Sequence, residues 1–197
     1  MGASAPLPRR LVLVALATLS LVATAAARER ADALWDALAQ PGHIALMRHA
    51  EAPGVGDPAQ FRLGDCATQR NLDERGRAQA RRIGEEFHRR AVRVVLVLTS
   101  QWCRARDTAQ LMGLGTVEDA PEALNSFFGR PGEREAATAA LRRRLSGLPP
   151  DAGTVVMVTH QVNITALTGV FPRSGEIVVL RREPDGGTSV RGTIPAP

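Results

Sequence analysis

The chain has 197 residues, 44% of them hydrophobic, which suits one domain with a sizeable core and excludes disorder over the whole length. All 25 basic residues are arginine and, against 20 acidic residues, they give a net charge of +5. This balance suits an acidic small molecule or an anionic membrane surface as the binding partner. It argues against nucleic acid, because the arginines are dispersed, tyrosine is absent and no basic strand carries aromatic residues.

Residues 1–27 predict a signal peptide. Arg9 and Arg10 give a positive start, Leu11–Val22 is an apolar stretch of signal-peptide length, and small residues follow it at a cleavage site. An uncleaved anchor is the alternative, although the apolar stretch is short for a spanning helix. We therefore expect a mature domain over 28–197 that acts outside the cytoplasm, in the periplasm or secreted, with no stable membrane insertion after cleavage.

Three apolar runs in the mature domain predict buried strands. Ile44–Met47, Arg93–Thr99 and Thr154–Thr159 are rich in β-branched and aliphatic residues and are bounded by polar ones. Helical patterns alternate with these runs, which predicts an α/β fold with helices on both faces of a parallel sheet. The predicted helices cover Arg28–Gln40, Asp73–Arg90, Trp102–Met112, Glu133–Ser146 and Asn163–Thr168. A closing hairpin is predicted over Glu176–Arg182 and Thr188–Ile194.

Two stretches between these elements, Ala50–Arg70 and Asp119–Pro131, are predicted to be irregular. Long loops in a compact domain are often functional. The loop residues that could shape a substrate rim are Asp57, Arg62, Asp65, Asn125, Phe127 and Phe128. Ordinary loop structure is the alternative for all of them.

The predicted strands end on residues that suit phosphate chemistry. Arg48 and His49 follow the first strand, Arg104 comes shortly after the second, and His160 follows the third. Because ligands gather at the carboxyl ends of parallel strands, we expect these four side chains to converge. A neutral imidazole is a nucleophile toward phosphorus, and arginine matches phosphate oxygens with two parallel hydrogen bonds. The pattern therefore predicts a phosphate pocket.

Four motifs, in this order along the chain, resemble those of the histidine phosphatase (phosphoglycerate-mutase-like) superfamily. The first looks like its Arg-His-Gly signature, with alanine in place of the glycine. The third looks like its Ser-Pro-x-x-Arg segment, with glutamine in place of the proline. The four segments are Leu46–Glu51, Asn71–Ala80, Ser100–Ala109 and Thr159-His160.

This resemblance implies a three-layer α/β/α sandwich with a mostly parallel central sheet. It implies that His49 is the phosphorylated nucleophile and that Arg48, Arg104 and His160 complete the pocket. No metal or organic cofactor is implied. The chain is therefore expected to be an exported phosphomonoesterase that acts on a small phosphorylated substrate. The chain also resembles the exported branch that includes lipopolysaccharide-core heptose phosphate phosphatases, which points to an envelope sugar phosphate.

The general acid stays open. Ser126 stands where mutase-like members carry a glutamate, and Gln161, not an aspartate, follows the second histidine. A leaving oxygen normally needs a proton. The nearby candidates are Glu51, Asp65 and Glu122, and the alternative is that no such acid exists. A phosphoglycerate-type mutase and a non-catalytic protein that binds a phosphorylated ligand are the other functions to be considered.

Cys66 and Cys103 are the two cysteines of the chain. Their spacing matches no zinc motif. In an oxidising compartment they can form one disulfide, because each lies on a segment that leaves a predicted strand at the same edge of the sheet. Two buried free thiols are the alternative.

Overall fold

The computed structural model describes residues 25–149 and 153–197. The chain divides into two units, Met1–Ala33 and Leu34–Pro197. The first unit is described only over 25–33, which are helical. The rest of the predicted signal segment, residues 1–24, lies outside the described residues. Within the part of the chain that is described, no helix is both long and apolar enough to cross a membrane.

The sheet of the second unit is mostly parallel. Its strands are β1 (His43–Arg48), β2 (Val94–Thr99), β3 (Val117–Asp119), β4 (Thr154–Thr159), β5 (Ile177–Arg182) and β6 (Thr188–Ile194). Among the described residues they form one six-stranded sheet in the order β3-β2-β4-β1-β5-β6. β4 lies between β1 and β2 and is parallel to both, and β2 is parallel to β3. β5 is antiparallel to β1 and β6, so the predicted closing hairpin is confirmed.

Helices cover both faces of this sheet. They are α1 (residues 34–38 of this unit), α2 (Glu74–Arg89), α3 (Cys103–Leu111), α4 (Pro121–Leu124), α5 (Arg134–Ser146) and α6 (Gln161–Thr168). Ala45 and Met47 of β1 pack in one core with residues of α1, α2 and α3. Ile44 and Leu46 point the other way and pack with residues of α4, α5 and α6. Because β1 is buried on both faces, it reads as a continuous apolar run, and the predicted three-layer sandwich is confirmed.

The structure corrects two boundaries near the site. α4 lies within the stretch Asp119–Pro131 that was predicted to be irregular, and β3, which was not predicted, ends at its first residue; three and four residues are too few to show a periodic pattern. α6 begins at Gln161, with His160 as its N-cap residue, so the helix begins two residues before the predicted start at Asn163. Asn163 is buried in the first turn, where its Nδ2 donates to the Asn125 carbonyl at 2.9 Å.

The start of α2 lies close to the segment that leaves β1. The side chain of Asp73, the residue at which the helix was predicted to start, caps it by accepting a hydrogen bond from the Gly76 amide at 2.8 Å. A Cβ atom on Gly76 would lie 1.9 Å from the carbonyl oxygen of Glu51. Glycine therefore lets the backbone of α2 approach the residues that directly follow His49.

Candidate active site

The four side chains singled out from the sequence lie together at the carboxyl ends of the parallel strands. His49 follows β1, His160 follows β4, and Arg104 lies in the first turn of α3, which follows β2. The imidazole centroids are 5.4 Å apart. Both histidines and Arg104 are buried, and with Arg48 they line a cavity of about 240 Å³. β1 and β4 are neighbours in the sheet, and for this reason two histidines 111 positions apart in the sequence come into contact.

His49 has the geometry of a nucleophile. Its Nδ1 lies 2.7 Å from the carbonyl oxygen of Ala50. Because a carbonyl only accepts, Nδ1 carries the proton and Nε2 keeps its lone pair. Arg104 Nε–H donates to that Nε2 at 3.3 Å. Burial, and next the charge of Arg104, lower the pKa of His49 to about 3, so the ring is neutral at physiological pH.

His160 lies beside this nucleophile and is oriented by Ser100. Its Nε2 forms a hydrogen bond with Ser100 Oγ at 2.8 Å. The indole of Trp102 meets the imidazole edge-on, with the ring centroids 5.5 Å apart. Burial, and next the proximity of His49, hold the pKa of His160 well below its usual range. A second neutral imidazole is thus fixed at the cavity wall.

Sequence reasoning missed a third arginine of the cavity, Arg70. Its Nε donates to the Gly56 carbonyl at 2.7 Å, and its Nη1 donates to the Ala52 carbonyl. Burial, and next the charge of Arg104, lower its pKa to about 10, which still leaves it protonated. Arg70 lies on the irregular loop before α2, away from any strand end. Only its place directly before the motif that starts at Asn71 could have drawn attention to it.

Arg48 completes the set of cations. Its Nη1 donates to the carbonyl of Pro172 at 3.2 Å, whereas its buried Nε has no hydrogen-bond partner within the described structure. Burial, and next the charge of Arg104, lower the pKa of Arg48. Three guanidinium groups therefore surround one cavity, and an anion there would relieve their mutual repulsion.

Asp57 faces this cationic group. Its Oδ1 accepts from Arg104 Nη1 at 2.7 Å, and its Oδ2 accepts from Arg104 Nη2 at 3.1 Å. Trp102 Nε1–H donates to Oδ2 at 3.0 Å, and the Arg70 amide donates to Oδ1 at 3.2 Å. Burial raises the pKa of Asp57, but the hydrogen bonds and charge of Arg104 outweigh it, and the net shift is downward. Asp57 is therefore ionised.

None of the three candidate acids lines the cavity. Glu51 faces Arg75 at 3.8 Å, and Asp65 pairs with Arg62 at 2.8 Å on the protein surface. Glu122 lies in a separate cleft beside α5. The described residues that line the cavity include no Asp or Glu, and Ser126 forms part of its wall.

The mouth of the cavity is apolar. Val55 and Phe128 both line it, and they are 89% and 56% exposed. Of the loop residues proposed for a substrate rim, Phe128 therefore lies at the mouth, whereas the Arg62–Asp65 pair lies outside it. Exposed apolar side chains next to a cationic pocket suit a substrate that has an apolar surface beside its phosphate.

Cys66 and Cys103 form a disulfide, with 5.7 Å between their Cα atoms, which confirms that alternative over two free thiols. The bond joins the loop that follows β1 to the first residue of α3. Gln69 strengthens this junction, because its Oε1 accepts from the Cys103 amide at 3.0 Å. The residue after Cys103 is Arg104, so the bond fixes the backbone from which that guanidinium extends.

The chain resembles known proteins in sequence and in fold. Residues 44–130 match the family model of the histidine phosphatase superfamily (branch 1). This segment contains His49 and all three arginines of the cavity, and His160 lies beyond it. No curated protein matches the whole sequence closely enough to count as a relative.

Three solved structures share the fold. The protein histidine phosphatase SixA in complex with tungstate is 19% identical, with a TM-score of 0.54 over 77% of this chain and 95% of that chain. SixA from Agrobacterium tumefaciens is 23% identical, with a TM-score of 0.54 over 80% and 99%. A mycobacterial glucosyl-3-phosphoglycerate phosphatase is 18% identical, with a TM-score of 0.56 over 78% and 98%. The family match over residues 44–130, together with the shared fold, shows that the chain is similar to the histidine phosphatase superfamily.

Proposed function

We propose that the chain is an exported phosphomonoesterase that works through a phosphohistidine at His49. The similarity of residues 44–130 to the histidine phosphatase superfamily supports the general activity. One observation carries the mechanism: the proton of His49 is fixed on Nδ1, and the free Nε2 meets Arg104 Nε–H at 3.3 Å. The nucleophilic nitrogen of His49 and an N–H donor for phosphoryl oxygens, from Arg104, are thus adjacent in the cavity.

The reaction follows in two displacements. His49 Nε2 attacks phosphorus, the bond to the leaving oxygen breaks, and that oxygen takes up a proton from water, since the described residues that line the cavity include no carboxylic acid. Water then attacks the phosphohistidine, which releases inorganic phosphate and restores the neutral imidazole. Arg48, Arg70 and Arg104 stabilise the charge on the equatorial oxygens in both steps, and this charge stabilisation accounts for most of the catalysis expected in phosphoryl transfer.

The substrate is proposed as a small phosphorylated molecule met outside the cytoplasm. The predicted signal segment supports the location, and the cavity volume of about 240 Å³ supports the size. A phosphorylated sugar of the cell envelope is the first class to examine. The exposed Val55 and Phe128 at the mouth favour a substrate with one apolar face.

The decisive experiment measures phosphate release and phosphoenzyme formation with an aryl phosphate such as para-nitrophenyl phosphate. His49→Ala should abolish both, whereas His88→Ala, which changes an exposed histidine of α2, should leave both unchanged. Labelled phosphohistidine is stable to alkali and labile to acid. A fully active His49→Ala protein would refute the mechanism. Phosphate binding without turnover in the wild type would instead favour a non-catalytic binding protein.

A panel of phosphorylated sugars, phosphoglycerates and a phosphohistidine peptide then assigns the substrate class. Transfer of the phosphoryl group between positions of one substrate, without release of phosphate, would indicate a mutase. Cell fractionation of the full chain tests export: deletion of residues 11–22 should retain the protein in the cytoplasm, and unchanged export would contradict that part of the proposal.

A further inference from the structure

Asp57 pairs with the terminal nitrogens of the Arg104 guanidinium, which are donors that arginine commonly offers to phosphate. Both terminal nitrogens of the guanidinium are paired with the two carboxylate oxygens, at 2.7 and 3.1 Å. The pair is largely buried, with 3% of the Arg104 side chain and 17% of the Asp57 side chain exposed. A two-point pair of this kind fixes both the position and the plane of the guanidinium.

Only one side of Arg104 is then directed at the reacting atoms. Nη1 has Asp57 and the Arg70 carbonyl as acceptors, whereas Nε–H points at His49 Nε2. Asp57 itself is absent from the described residues that line the cavity, so it lies behind Arg104 and does not meet the substrate. Its oxygens already accept from Trp102 and the Arg70 amide, and it is ionised, which makes it unsuited to protonate a leaving group.

Charge gives a second reason for a carboxylate at this position. Three arginines lie around two neutral histidines, and Asp57 cancels one of the three positive charges. The excess of two positive charges equals the charge of a phosphate dianion. Without Asp57 the pocket would carry an additional uncompensated charge beside His49, and Arg104 would lose the two-point pair that fixes the plane of its guanidinium.

We propose that Asp57 is the positioning residue of the site, which aims Arg104 Nε–H at the phosphoryl group during its transfer to and from His49. This inference rests on the proposed function, since it assigns Asp57 a part in the same reaction. A positioning role differs from a gating role. In a gating role, the Asp57 carboxylate would occupy the phosphate site and would leave it when substrate arrives.

The experiment compares Asp57→Asn with Asp119→Asn. Asp119 pairs with Arg106, two residues beyond Arg104 on the same helix, at 2.6 Å on the surface, so its variant removes an Asp–Arg ion pair of that helix away from the cavity. With para-nitrophenyl phosphate, Asp57→Asn should lower kcat at least tenfold and change KM less than threefold. Asp119→Asn should change neither. Asp57→Glu, which restores the carboxylate, should recover at least threefold in kcat over Asp57→Asn.

Three results would overturn the proposal. The first is a kcat for Asp57→Asn within twofold of the wild type. The second is a lower KM with a higher kcat/KM, which would show that Asp57 competes with substrate. The third is a kcat for Asp57→Glu no higher than that of Asp57→Asn.

A measurement on the wild type decides the matter if Asp57→Asn does not fold. In ¹⁵N spectra of the arginine side chains, added inorganic phosphate should shift the Arg104 Nε–H signal, while the Nη protons stay protected by Asp57. Release of those Nη protons on phosphate binding would refute positioning and establish the gate. Because this readout needs no turnover, it still tests Asp57 if the wild type proves unable to hydrolyse aryl phosphate, in which case the proposed function alone fails.

Discussion

Removal of the disulfide tests how much the loop over the cavity depends on it. The bond joins residues 37 positions apart, Cys66 and Cys103. In the chain-entropy model, a closed loop of that length contributes roughly 4 kcal/mol to the free energy of unfolding. Replacing both cysteines with alanine keeps a small apolar side chain at the buried position 103. We therefore expect the variant to lose about 3–4 kcal/mol, since little other than the loop constraint changes.

The assay is guanidinium unfolding of the oxidised wild type and the double variant, followed by fluorescence and extrapolated to water. A reductant should destabilise the wild type and have no effect on the double variant, which serves as the control. The same variant should show a higher KM, because the loop that carries Asp57 and Arg70 is no longer joined to α3. A loss of less than about 1 kcal/mol, with unchanged KM, would refute the claim that this bond holds the site together.

Three further predictions concern single residues. Arg104→Lys keeps a positive charge but loses the planar pair with Asp57 and the donor to His49. The value of kcat/KM should therefore fall about 100- to 1,000-fold, as on removal of one transition-state donor. A kcat/KM within threefold of the wild type would mean that Arg104 is not at the reacting centre. Since the pKa of His49 is lowered to about 3, NMR titration of the free folded protein should show no His49 midpoint above about pH 4. In the unfolded chain His49 takes up its proton at about pH 6.5, before the folded protein does. The free energy of unfolding should therefore decrease as pH falls from about 6.5 toward the folded pKa of about 3. A His49 midpoint of about 6.5 in the folded protein would contradict the burial argument. Gly76→Ala places a Cβ 1.9 Å from the Glu51 carbonyl oxygen and should lower the free energy of unfolding by about 1–3 kcal/mol or more. Gly132→Ala, where a Cβ would have no atom within 4 Å, should be tolerated. Equal melting temperatures for the two variants would show that α2 can shift without cost.

The fold followed from the sequence where elements are long and buried. The apolar runs of β1, β2 and β4 are recognisable because strands covered on both faces exclude polar residues. Asp73 marked the start of α2 because a capping carboxylate acts within three residues of its own position. β3 and α4 were missed, because such short elements are formed by tertiary contacts and leave no period in the sequence.

The site was predictable only in part, for a related reason. His49, Arg104 and His160 lie directly at or after strand ends, where position in the sheet can be inferred from sequence. Arg70 reaches the cavity, and Asp57 reaches Arg104, from a loop whose path is set by the disulfide and by backbone carbonyls, which no local pattern records. The sequence therefore predicted the site residues that lie at strand ends, but it did not predict the roles of Asp57 and Arg70, which lie on the loop before α2.

The cluster of cations also determines how the protein treats the product of its own reaction. Inorganic phosphate would meet the same guanidinium groups as the phosphoryl group of the substrate, so we expect it to be a competitive inhibitor and a ligand of the native state. At a concentration 100 times its dissociation constant, such a ligand adds about 2.7 kcal/mol to stability. Melting temperature and turnover should thus move in opposite directions as phosphate accumulates. An environment poor in free phosphate favours turnover at the expense of thermal stability, and a phosphate-rich one favours a stable but inhibited protein.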